Sequence, residues 1–134
     1  MKKKKKACPE ELRTTVDLPL YQYKVHIIFS NDVVKSRSKR DKFFKRVYDM
    51  GAASALHCTI EGDEGNSYIF FPYDVGMSQL VHEASHAIET LILVNGMRPC
   101  KETRGYLYGY LCSKITLFMH KTDIKYVLDR EYGS

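Results

Sequence analysis

The stretch His82-Glu83-Ala84-Ser85-His86 sets two imidazoles four residues apart, with a carboxylate next to the first. On a helix, four residues advance about 400°, so His82 and His86 leave the same face one turn apart. Two imidazoles at that separation can share one zinc ion. Glu83 sits about 100° round the axis from His82, outside the ligand pair but beside the water that such a metal would hold. There it can take a proton from the water and pass it to a leaving amine, the general-base step of metal-assisted hydrolysis. A structural account, in which two histidines are merely satisfied at a core edge, gives no reason for Glu83 between them.

A catalytic zinc takes three protein ligands and keeps one position open. For the third ligand the residues leave several candidates: His26, His57 and His120, the cysteines, and the carboxylates downstream. Glu89, three residues past His86, shares its side of the helix but points along the axis away from His82. A salt bridge or a supporting hydrogen bond suits Glu89 better.

The elements that must position these groups follow from periodicity. Leu80, Val81, Ala84, Ala87, Ile88, Leu91 and Ile92 recur at helical spacing and predict a helix over 78–94, stopped by Asn95-Gly96. A second helix is predicted over 102–121, with Tyr106, Leu107, Tyr110, Leu111, Ile115 and Phe118 inward. A short turn should lay it antiparallel on the first. Gly105 and Gly109 cost this helix ~1 kcal/mol each, which suggests close packing against something. Upstream, 21–29 reads as a strand and 38–50 as an amphipathic helix carrying Phe43, Phe44, Val47 and Met50. The basic stretch 35–40 before that helix reads as a solvated loop. The runs 53–60 and 67–71 flank Glu61-Gly62-Asp63-Glu64-Gly65-Asn66 and predict a β-hairpin with a longer loop. Pro72 lacks a backbone donor, which fits an edge strand. Residues 1–18 read as a disordered basic tail and lead-in, and 19–134 as one domain. The order strand, helix, strand, strand, helix, helix is that of a small α+β domain.

HEASHAIETL followed by ETRGYLYGYL resembles the small gluzincin-type zinc metallopeptidases, particularly those encoded in phage genomes and prophages. The resemblance covers residues 52–118. It implies a zincin-like minimal domain: a small mixed sheet, an active-site helix and a following glutamate helix. It further implies Zn²⁺ held by His82, His86 and Glu102, with Glu83 as general base. Glu102 opens the pattern Glu102-Thr103-Arg104-Gly105-Tyr106, which matches the early part of the glutamate helix. The larger gluzincins carry an Asp four positions after the ligand Glu. Here that position is Tyr106, and the residue that orients the histidines is left unassigned. His120 lies too far past Glu102 along a straight helix to reach the same metal. Tyr106, Tyr108 and Tyr110 are the candidates for steadying the oxyanion and His57 for touching substrate, although a tyrosine stripe at helical spacing also suits a core. In this frame the run 67–71 is the expected edge strand over the cleft, to which a peptide or protein substrate adds as an antiparallel strand.

Composition bounds the rest. The chain has 134 residues, 44% hydrophobic and 28% charged, which suits one globular domain and excludes an intrinsically disordered chain. No apolar run approaches the ~18–20 residues of a membrane span, and no signal-peptide pattern is visible. A cytoplasmic location is therefore expected, that of the host if the chain is phage-encoded. The net charge of +5 equals the run from Lys2 to Lys6, so the rest is neutral and nucleic acid is not an expected partner beyond that tail. Cys8, Cys58, Cys100 and Cys112 form no C-x-x-C pair and are expected as reduced thiols. Two functions stand against each other: a zinc metallopeptidase, and a weak or inactive zinc-binding regulatory or interaction module. The second gains from the small size, which leaves little chain to build a deep cleft.

Overall fold

In the computed structural model, which describes residues 9–38, 55–60, 63–98 and 100–125, Leu12, Thr14, Val16 and Leu18 alternate with Arg13, Thr15 and Asp17 along a strand, β1 (Glu11–Leu18). Val16 and Leu18 are buried. This corrects the disordered lead-in expected there, whose residues 1–8 lie outside the described ones. The period of two was present, but a single apolar residue at every second or fourth position looks polar until a sheet covers it. A 3-10 turn at Pro19–Tyr21, closed by the Gln22 N–H on the Pro19 carbonyl at 3.1 Å, returns the chain antiparallel as β2 (Tyr23–Ser30).

Ser30 and Asp32 end β2 and start a short helix, α1 (Val33–Ser38). The Asp32 carboxylate caps it by accepting the Lys35 N–H at 3.0 Å. The solvated loop expected at 35–40 is thus helical up to Ser38, and Arg37 is 2% exposed. Its guanidinium reaches the Cys58 thiol, which burial pushes up to about 11. The helix expected over 38–50 lies, past Ser38, outside the described residues.

The chain re-enters the sheet as β3 (Leu56–Ile60) and β4 (Asp63–Pro72), paired antiparallel across a connection of two residues. The longer loop expected at 61–66 is corrected, because its second half is strand. Asn66 donates to the Asp63 carboxylate at 2.7 Å, and Gly65 lets the strand pass close to Gln22, whose carbonyl would stand 3.3 Å from an added Cβ.

The sheet order is β1-β2-β4-β3, with β4 parallel to β2 and the other pairs antiparallel. The run 67–71 is therefore interior and β3 is the edge, a correction to the expected edge strand. Pro72 fits because it closes the strand, where a missing donor costs little.

Helices α2 (Met77–Val94) and α3 (Lys101–Lys121) cover one face. Gln79 accepts the Gly76 N–H at 3.0 Å at the start of α2. At its end Gly96, at φ 62°, lets the Met97 N–H reach the Ile92 carbonyl at 3.1 Å, the stop read from Asn95-Gly96. Tyr23, Val25, Ile27, Phe29, Ile69 and Phe71 meet Leu80, Ala84, Ile88, Leu91, Leu107, Leu111 and Ile115 in the main core. Each large side chain so buried contributes about 1.5–3 kcal/mol. Ile28 and Phe70 pack on the opposite face with Val33 of α1. This is a mixed α+β domain on a four-stranded mixed sheet. No helix among the described residues is long and apolar enough to cross a membrane.

Candidate metal centre

Helix α2 turns Leu80, Ala84, Ala87 and Ile88 to the sheet, which leaves His82 and His86 exposed on its flank. The two rings meet edge to face with centroids 4.7 Å apart, and their Nε2 atoms are 3.1 Å apart. Two ligands of one tetrahedral zinc, each about 2.0–2.1 Å from the ion, stand about 3.3–3.4 Å from one another. The pair is within a few tenths of an ångström of that separation, and in the metal-free chain the same approach is a hydrogen bond from one Nε2 to the other. The two histidines have the separation that two ligands of such an ion need.

Glu83 lies round the helix as its position dictates, 7% exposed, with its Oε1 3.9 Å from His82 Nε2. Its carboxylate accepts the backbone N–H of His57 on β3. Burial raises its pKa, and the two histidines and that N–H offset part of the rise. An amide donated to Glu83 faces away from β4, so the carboxylate stands at the open edge of the sheet. The arrangement is a partly desolvated base between two adjacent imidazoles and a strand edge with no further strand paired to it among the described residues.

His57 also reaches the centre through its ring, which stacks on His86 with centroids 5.9 Å apart. Its Nε2 is 3.0 Å from Ser67 Oγ, and Ser67 is bonded in turn to the Tyr23 hydroxyl. Burial, and next to it His86, lower the His57 pKa to about 4, so this imidazole is neutral at pH 7. Ser67 and Tyr23 were missed at the sequence level. The available signal was Ser67 sharing the inward register of Ile69 and Phe71, a polar residue where the strand points into the core.

Glu102 and Tyr106 stand apart from this cluster. Among the described residues, no group of three or more His, Cys, Asp and Glu side chains is placed to hold a metal ion. The register of α3 explains it. Glu89 pairs with Arg104 Nε at 3.0 Å and accepts the Tyr108 hydroxyl at 2.7 Å, the salt-bridge role expected of it. Glu102 thus falls toward the C-terminal end of α2, whereas His86 and His82 lie one and two turns the other way. Tyr106 is 74% exposed, and Tyr110 is exposed too, so neither is the inward residue expected. Gly105 and Gly109 have nothing within 4 Å of an added Cβ, which corrects the expectation of close packing. With Tyr21, Tyr106 and Tyr110 they line an open groove whose walls include none of His82, Glu83 and His86. Cys58, Cys100 and Cys112 carry free thiols. No protein-family model, curated protein or solved structure matches the chain.

Proposed function

We propose that the chain is a zinc-dependent metallopeptidase of zincin-like build, in which His82 and His86 hold the metal through Nε2 and Glu83 is the general base. The observation that carries this reading is the 3.1 Å approach of the two Nε2 atoms beside a buried carboxylate. When bound, zinc polarises the scissile carbonyl and lowers the pKa of the attacking water. Glu83 takes the proton from that water and delivers it to the leaving amine; its raised pKa brings it nearer to the working pH. The outer edge of β3, to which no other strand pairs among the described residues, offers backbone pairing to an extended peptide, and the Glu83 carboxylate is already hydrogen-bonded along that edge.

One observation favours the second reading, a zinc-binding module that cleaves nothing: Glu102, the third ligand implied by the resemblance, is not gathered with the histidines. Metal content and hydrolysis together separate the two. The protease reading expects about one zinc per chain, lost or much weakened in His86→Ala, together with cleavage of peptides. In Glu83→Gln the zinc stays and hydrolysis falls by about 10²-fold or more. Zinc without cleavage of any peptide selects the binding module. Zinc retained in Glu102→Ala removes that residue from the ligand set.

A further inference from the structure

Tyr23, Ser67 and His57 form a hydrogen-bonded line from the core to the candidate centre. Tyr23 is 1% exposed and Ser67 is fully buried, and neither side chain has another hydrogen-bond partner among the described residues. The line holds two hydroxyl protons and one ring proton, which can be arranged in three ways. If His57 Nε2–H donates to Ser67 and Ser67 to Tyr23, the phenol proton is left unpaired in the core. If both neighbours donate to Ser67, the serine proton is left unpaired. Only Tyr23 donating to Ser67, and Ser67 donating to His57 Nε2, pairs every buried hydroxyl, and a buried orphan costs about 1–3 kcal/mol. That direction removes the proton from Nε2 and puts it on Nδ1, on the far side of the ring from Ser67.

We propose that Ser67, with Tyr23 bonded behind it, is a positioning residue that holds His57 in its Nδ1–H tautomer, so that it stands beside His86 as a hydrogen-bond donor toward substrate and not as a third zinc ligand. Nε2 is occupied by the serine proton and Nδ1 carries its own, so neither nitrogen offers a lone pair to a metal. The role toward substrate rests on the metallopeptidase reading; the tautomer does not. The sheet supplies an opposite case in His26. Its Nδ1 is 3.2 Å from the Thr15 hydroxyl, and its Nε2 is 2.7 Å from Asn66 Oδ1. The Asn66 amide nitrogen is committed to Asp63, so Oδ1 accepts and His26 must be Nε2–H.

The test is a long-range ¹H–¹⁵N correlation of the histidine rings in the full chain, without metal and then with zinc alone. The expected spectrum shows His57 protonated on Nδ1 and His26 on Nε2. Ser67→Ala moves His57 to mostly Nε2–H, the preference of free imidazole, whereas Tyr23→Phe keeps Nδ1–H because the Ser67 proton still has only His57 Nε2 to go to; an unchanged His26 signal certifies that the sheet is intact. A His57 that is Nε2–H in the wild-type chain, or that keeps Nδ1–H in Ser67→Ala, overturns the proposal. Added zinc shifts the Nε2 resonances of His82 and His86 and leaves both His57 nitrogens in place. A metal-type shift at His57 overturns the donor role and makes it a ligand. Zinc that moves no histidine defeats the metallopeptidase reading alone, since the tautomer has been read without metal.

Discussion

His57 takes a proton in the folded chain only near pH 4, against about 6.5 when unfolded. Between those values the unfolded chain binds a proton that the folded one does not, so stability rises with pH. This contribution is complete above about pH 6.5 and is lost as pH falls toward 4. Glu83 acts with the opposite sign: burial raises its pKa, so the folded chain takes up that proton first and favours lower pH. Chelator-treated protein titrated with denaturant should therefore lose stability below pH 6.5, and His57→Gln should flatten the loss. An equal slope in that variant assigns the loss elsewhere. Glu83→Gln should leave the metal-free fold as stable or make it more so, since it removes a partly desolvated charge and keeps an acceptor for the His57 amide. Thermal melts of the two proteins side by side measure this.

Among the elements, α2 was legible because everything that defines it is local: an apolar stripe, a stop at Asn95-Gly96, and three chemical residues whose mutual directions follow from helical pitch alone. The strand edge was not legible. β4 is interior because β2, some forty residues earlier, pairs parallel to it, and no local pattern encodes a pairing at that distance. For the same reason Ser67 and Tyr23 join His57 only once three strands are aligned. The position of Glu102 follows from how α3 packs along α2, through Leu107 and Leu111 in the core and the Glu89 contacts with Arg104 and Tyr108 at the rim. Both ends of that ion pair are substantially exposed, so Glu89→Ala should cost only about 1 kcal/mol by denaturant titration. The exposed glycines carry a prediction of opposite sign. Gly105 and Gly109 lie inside α3 with open space around them, so Gly105→Ala and Gly109→Ala should each stabilise by roughly 0.5–1 kcal/mol. A destabilised alanine variant would show that this face is covered.

For the molecule as a whole, the candidate centre is where the helical layer meets the open end of the sheet. Glu83 bonds the His57 amide and His86 stacks on the His57 ring, so α2 and β3 are joined at one of the two proposed ligands and at the base beside it. Among the described residues β3 pairs with β4 alone. An ion bound by His82 and His86 therefore adds its free energy on α2 where that helix meets β3. Binding to the folded chain alone stabilises it by about 2.7 kcal/mol at a hundred-fold excess over Kd, on the order of 10 °C in Tm for a domain of this size. Wild-type protein should show that rise with zinc and lose it on chelation. Glu83→Gln should show it too, because the carboxylate is not a ligand, whereas His86→Ala should not. Melting with and without zinc checks all three. A wild-type Tm indifferent to zinc would remove the metal from the protein's function, and a rise that survives His86→Ala would move the site away from α2.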